Sequence, residues 1–171
     1  MRNPEESELG KKIVSESVSL IAKLGFEEFT FKKLAAVIKS TEASIYRYFE
    51  NKHKLLIYLI SWYWAWLEYL IDYKTNNITD PIKKIRIIIK IIAESSSQDD
   101  PNSPHMDESL LHKIVVAESA KAYLTKNVDS ENKAGLFANY KSLCKNISTI
   151  IQEINPQFPY PRAMASNLIE T

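Results

Sequence analysis

The stretch FEEFTFKKLAAVIKSTEASIYRYFENKHKLL, residues 26–56, decides how this chain is read. After Thr30, whose hydroxyl can cap a helix start, Leu34, Ala35 and Ile38 recur at helical spacing. Thr41 offers a second cap. In the helix that it opens, Ile45 and Phe49 point inward while Ser44, Tyr46 and Arg47 do not. Two short helices joined by a tight turn make a helix-turn-helix, whose second helix fits the major groove of DNA.

The side chains on that pair suit the task. Tyr46 and Tyr48 carry hydroxyls that can reach phosphate oxygens while their rings pack on a small core. Lys52 and the amides opening the next helix can bind the backbone. Arg47 offers a bidentate fork to guanine or a phosphate contact. Thr30 supplies a hydroxyl and helix-terminus amides to a further phosphate. The candidate DNA-binding residues are thus Thr30, Thr41, Glu42, Ser44, Tyr46, Arg47, Tyr48 and Lys52.

With their spacing, these residues resemble the DNA-binding segment of the TetR family, the tetracycline-repressor-like bacterial transcription regulators. The matching elements are Gly25-Phe26, Thr30, Leu34-Ala35, Thr41, Ile45-Tyr46-Arg47-Tyr48-Phe49, Lys52 and Leu55-Leu56, over about the first third of the chain. The resemblance implies a dimer bound to an inverted-repeat operator, acting as a repressor and released by a small effector. Two departures stand out. Lys39 occupies the turn where the family usually has Gly, and a lysine at positive φ costs roughly 1 kcal/mol. Glu42 stands where a small or basic residue is common; it favours the helix dipole and can accept from a cytosine amino group, yet it repels phosphate.

Composition bounds the alternatives. Net charge over the 171 residues is +1, so no global basicity announces nucleic acid. From Thr30 to Lys54, however, six basic residues (Lys32, Lys33, Lys39, Arg47, Lys52, Lys54) face two acids (Glu42, Glu50), a local +4. The three glycines, Gly10, Gly25 and Gly135, are too scattered to cradle a phosphate. A single Cys144 cannot form an internal disulfide and suits a reducing cytoplasm. The polar N-terminus MRNPEESELGKK has no signal-peptide character.

Outward from the motif, Met1–Ser7 reads as a mobile arm. Ile13, Val14, Val18, Ile21 and Leu24 form one helical stripe, which Gly25 terminates. Phe26, Phe29 and Phe31 fill the core beneath the helix-turn-helix. A helix from Lys52 towards Tyr73 contains Leu55–Ile71, the nearest thing to a membrane span. That segment is at the lower limit of length for crossing a bilayer, and Ser61 and Glu68 interrupt it. Trp62, Trp66, Tyr69 and Tyr73 fall near one face of that helix, which reads either as a buried bundle helix or as the wall of a ligand cavity. With His112 they are the candidate pocket residues, and they favour an apolar or aromatic effector.

Thr79 or Asp80 caps the next helix, Pro81 suits its first turn, and Ile82, Ile85, Ile89 and Ile92 sit at helical spacing. SSSQDDPNSPHMD is a loop by composition. Helices follow over about Met106–Lys126 (Leu110, Leu111, Ile114, Val115 and Tyr123 inward) and Glu131–Ile154 (Phe137, Tyr140, Leu143, Cys144, Ile147, Ile150 and Ile151 apolar). YPRAMASNLIET reads as the first turns of one more.

The expected fold is all-α: an N-terminal three-helix domain with the helix-turn-helix over residues 1–52, then a helical bundle over 53–171 for ligand binding and dimerisation. No nucleophile–base pair or G-x-S-x-G appears, so no catalytic residue and no enzyme is expected. His105, Asp107, Glu108 and His112 are the only cluster resembling metal ligands, and a surface Glu–His pair accounts for them, so neither metal nor cofactor is expected. The expected partners are double-stranded DNA, a second copy and a small effector, with no membrane. The alternative is a helical protein-interaction module with a weak or vestigial DNA-binding head.

Overall fold

The computed structural model describes residues 2–94, 107–123 and 138–170. They form eight α-helices and no strand: α1 Glu8–Leu24, α2 Phe31–Ile38, α3 Glu42–Tyr46, α4 Lys52–Thr75, α5 Pro81–Glu94, α6 Glu108–Tyr123, α7 Ala138–Ile154 and α8 Pro161–Ile169. A 3₁₀ turn, Pro4–Glu6, precedes α1. The fold is all-α. No described helix is long and apolar enough to cross a membrane.

Compactness divides the chain into two units, Met1–Ile60 with Gln98–Val128, and Ser61–Ser97 with Asp129–Thr171. The division differs from a boundary at residue 52 in two ways. It falls within α4, and it assigns α6 to the N-terminal unit.

In the first unit, local chemistry sets the helix ends. Ser7 Oγ accepts from Gly10 N at 3.0 Å and opens α1. Gly25 closes it with φ 80° and ψ 156°, its N–H bonded to Ile21 O. Thr30 Oγ1 accepts from Lys33 N at 3.2 Å to open α2, and Thr41 Oγ1 accepts from Ser44 N at 3.2 Å to open α3. Lys39 ends α2 in the left-handed conformation, φ 54° and ψ 50°, while Ser40 N reaches back to Ala35 O at 2.9 Å. Lys39 is the only non-glycine at positive φ among the described residues.

The apolar stripe of α1 is buried at Ile13, Val14, Val18 and Ile21 but leaves Leu24 exposed. Phe26, Phe29 and Phe31 are buried, Phe29 and Phe31 meeting edge to face at 6.2 Å. Leu34, Ile38, Ile45 and Phe49 complete this core. Helix α6 packs along α1 and buries Leu111, Ile114 and Val115; Leu110 is half-buried. The side chain of Tyr123 lies outside the described residues.

In the second unit, α7 packs on α5 and on α8. Its core comprises Tyr63, Trp64, Leu67, Ile71, Ile88, Ile92, Leu143, Ile147, Ile151, Ala165 and Ile169. Asp80 Oδ1 accepts from Ile82 N at 2.9 Å and caps α5. The inward face of α5 is Ile88 and Ile92; Ile82 and Ile89 are about half exposed, which corrects the face expected from sequence. On α7, Leu143, Ile147 and Ile151 are buried and Tyr140, Cys144 and Ile150 half-buried; Phe137 lies outside the described residues. Glu68 accepts from Ser142 and from Asn146 Nδ2, and the Tyr140 hydroxyl bonds both Ser166 and Glu170, tying α4 and α8 to α7.

Candidate nucleic-acid interface

Helix α3 presents an exposed edge on which Thr41, Tyr46 and Arg47 are open to solvent and Glu42 and Ser44 half-buried. Thr41 Oγ1 and Ser44 Oγ lie 3.0 Å apart. The Tyr46 ring meets Phe31 of α2 edge to face at 5.1 Å, so half of this side chain is anchored and its hydroxyl end stays outside. Thr30 is exposed; its oxygen accepts from Lys33 N, leaving its own proton to donate. Glu42 sits in the first turn of α3, where its charge complements the helix terminus.

Two candidates are placed differently. Tyr48 is buried, and its hydroxyl lies 2.8 Å from Ser7 Oγ. Lys52 turns back under the motif. Its ammonium donates to Phe26 O at 3.0 Å, Glu27 O at 2.9 Å and Phe29 O at 3.2 Å, and stands 4.9 Å from the Phe26 ring centroid. All three of its N–H donors are taken. In this arrangement Lys52 is a cap for the connection between α1 and α2, not a hand extended to phosphate. Phe26, Glu27 and Phe29 lie between α1 and α2, where their carbonyls have no helical N–H partner, which is why a cation suits them.

The local positive charge is correspondingly thinner than the sequence count. Lys33 is bound to Glu28 through both its carbonyl and its carboxylate, at 2.6 and 3.3 Å. Among the described residues, Lys32, Lys39 and Arg47 make no ion pair and remain exposed. Behind the motif, Lys121 of α6 pairs with Glu27 at 2.8 Å and Glu118 at 2.9 Å. The hydrogen bond and charge of Lys121 lower the Glu27 pKa, and Glu27 and Glu118 raise that of Lys121.

Sequence reasoning missed the role of the first residues. Arg2–Ser7 are not a loose arm: Arg2 N donates to Arg47 O at 2.9 Å, Pro4 is buried, and Tyr58 donates to Glu5. The local signal was present in Asn3-Pro4-Glu5-Glu6, a capping residue, a proline at the first helical position and acids in the first turn.

The pocket candidates do not form one wall. Tyr69 and Tyr73 stack on each other, 6.2 Å apart, and are 68% and 67% exposed, so among the described residues they line no enclosed cavity. Trp62 and Trp66 are half-buried; the rings that enter the core are Tyr63 and Trp64, the latter 5.3 Å from Tyr140. His112 belongs to the first unit, half-buried, its pKa lowered by burial and then by Lys113. A groove of about 460 Å³ lies instead between α7 and α8, lined by Lys145, Ser148, Thr149, Gln152, Tyr160 and Arg162 among others. None of the five pocket candidates reaches it. No group of three metal-ligating side chains stands together among the described residues, and His105 lies outside them.

Residues 13–59 match the family model described as bacterial regulatory proteins, tetR family. No curated protein matches the sequence. Among solved structures, AibR in complex with isovaleryl coenzyme A and operator DNA is similar at TM-score 0.70 and 18% identity, over 93% of this chain and 82% of that one. Apo AibR is similar at TM-score 0.66 and 15% identity, over 93% and 80%. A TetR-family transcriptional regulator from Agrobacterium tumefaciens is similar at TM-score 0.64 and 22% identity, over 96% and 82%. The structural likenesses speak for the fold, and the family model marks residues 13–59 as similar to the helix-turn-helix segment of tetR-family regulatory proteins.

Proposed function

We propose that the chain is a repressor that binds an inverted-repeat operator as a dimer and is released by a small molecule held among its C-terminal helices. The observation that carries the DNA reading is the exposed edge of α3, where Thr41, Ser44, Tyr46 and Arg47 stand together on a buried three-helix core. In this reading Arg47 contacts base or phosphate, and Tyr46, Thr41, Ser44 and Thr30 place their hydroxyls at phosphates. Glu42 reads or excludes a base at the start of the helix. Tyr48 and Lys52 hold the helix-turn-helix in shape from inside. Two such edges in a dimer engage half-sites about one helical turn apart.

The effector reading rests on less. Helix α4 begins at the motif and continues into the second unit, so a change in the later helices has a covalent, helical route to the reading head. The AibR complex makes acyl-coenzyme A thioesters the first class to screen, beside apolar and aromatic compounds. Lys145 and Arg162 in the groove would suit a phosphorylated ligand.

The test is selection of bound sequences from a random duplex pool at near-physiological salt. Enrichment of an inverted repeat, with two chains per duplex, is the expected result. A folded protein that enriches nothing would overturn the DNA reading and favour a helical interaction module with a vestigial head.

A further inference from the structure

We infer that Arg2–Ser7 form a fixed strap that sets the pose of the reading helix, with Glu5 and Ser7 as positioning residues for DNA recognition. The inference rests on the DNA-reading function proposed above. Helix α3 has only five residues, too few for its own hydrogen bonds to hold it, so its orientation is set by what surrounds it. Its outer edge faces solvent, and its exit is where the N-terminal segment takes hold. Three successive residues there are tied to the strap. The Arg47 carbonyl accepts from Arg2 N at 2.9 Å. The Tyr48 hydroxyl bonds Ser7 Oγ at 2.8 Å. The Phe49 ring meets Tyr58 edge to face at 5.4 Å, and the Tyr58 hydroxyl is held by Glu5.

The strap is itself built rather than draped. Asn3 Oδ1 accepts from Glu5 N at 3.1 Å, and Asn3 Nδ2 donates to Glu6 at 3.1 Å, closing the 3₁₀ turn. Ser7 Oγ serves both as the cap of α1, through Gly10 N, and as the partner of Tyr48. Pro4 lies against Gly10 so closely that a Cβ there would stand 2.2 Å from Pro4 O and 2.6 Å from Pro4 Cα. Glycine at position 10 is therefore the seat of the strap, in a helix where alanine would otherwise be preferred. Any side chain at this position must displace Pro4, and with it the ties to Arg47 and Tyr48, without touching a residue on the DNA-facing edge.

Gly10→Ala, Ser7→Ala, Tyr48→Phe and the Ser7→Ala/Tyr48→Phe pair are tested in the full chain, with circular dichroism confirming that each is folded. The probes are the duplex that the parent protein selects from a random pool and a random-sequence duplex of equal length. Loss of a hydrogen bond that fixes the helix is expected to weaken binding to the selected duplex roughly three- to tenfold. Binding to the random duplex and the salt slope of either should stay unchanged, because no phosphate contact is removed. Ser7→Ala and Tyr48→Phe break the same bond, and Ser7→Ala also removes the cap of α1, so the pair should lose no more than Ser7→Ala alone. A structural defect without a positioning role would instead lower the folded fraction and scale both affinities together.

If Gly10→Ala does not fold, the Ser7 and Tyr48 variants decide the matter on their own. Folded variants that keep the parent's preference for the selected duplex would overturn the strap and leave the DNA reading intact. A parent protein that selects no sequence would overturn the DNA reading, and the strap's role with it.

Discussion

At the scale of single residues, the sharpest consequence concerns Lys52. An ammonium shared among the carbonyls of Phe26, Glu27 and Phe29 holds the connection between α1 and α2 closed. Lys52→Met keeps the stem but strands those oxygens, and should cost about 2 kcal/mol of stability in urea unfolding, the scale of hydrogen bonds to a charged group. The salt slope of DNA binding should not change. Arg47→Ala should do the reverse: stability nearly unaltered, and the salt slope reduced by roughly one. A salt slope that falls with Lys52→Met would return this lysine to the phosphate contacts. Lys39 gives a second test. Its left-handed backbone carries a penalty of about 1–2 kcal/mol for any residue with a Cβ, while glycine adds about 0.4–1 kcal/mol of unfolded-state freedom. Lys39→Gly should therefore stabilise the chain by roughly 0.5–1 kcal/mol, and Lys39→Ala, which keeps the Cβ, should not.

At the scale of elements, helix α5 shows how a face is chosen in a segment rich in isoleucine. With apolar residues at 82, 85, 87, 88, 89, 91 and 92, more than one helical stripe fits. Three of the four basic residues mark the outer side: Lys83, Arg86 and Lys90 share one side of the helix and Ile88 and Ile92 lie opposite, with Lys84 at the flank of the inward side. Ile88→Ala should thus cost about 2–5 kcal/mol and Ile82→Ala or Ile89→Ala about 0.5 or less, read from denaturant midpoints. Equal losses at 82 and 88 would mean that the exposed side is covered. The caps were legible from sequence because each acts within three residues, as Thr30, Thr41 and Asp80 do. The exposed edge of α3 was legible because Ile45 and Phe49 fix which way it turns. The aromatic wall on α4 was not, since Trp62, Tyr63, Trp64 and Trp66 leave no polar marker of which side faces in. Ties across long separations, Lys52 to residues 26–29 and Ser7 to Tyr48, have no local signature at all.

At the scale of the whole molecule, stability against pH should show separate windows, because the perturbed groups differ in kind. His112 is half-buried and held below its ordinary value of 6.5, chiefly by burial and further by Lys113. The unfolded chain therefore binds its proton first. The stability contributed by a neutral His112 is complete above about pH 6.5 and is lost as pH falls through the lowered folded value. Glu27 is likewise depressed, from 4.5, by the hydrogen bond and charge of Lys121; its contribution is complete above that pH and is lost lower still. Tyr58 is displaced upward by burial and by Glu5, so its contribution is present below about pH 10 and lost on the alkaline side. Urea midpoints measured from pH 3 to 11 should then fall in steps that substitution can remove singly. His112→Gln should flatten the step beginning near pH 6.5 and leave the lower one. Lys121→Met should flatten the acid step below 4.5 and leave the upper. Tyr58→Phe should remove only the alkaline step, with any loss of the bond to Glu5 lowering the midpoints alike on the plateau. A His112→Gln profile that still falls between pH 6.5 and 5 would locate that proton elsewhere. Because the Glu27–Lys121 pair joins α6 to the segment leading into α2, the acid step also reports how firmly α6 is held to the DNA-binding unit.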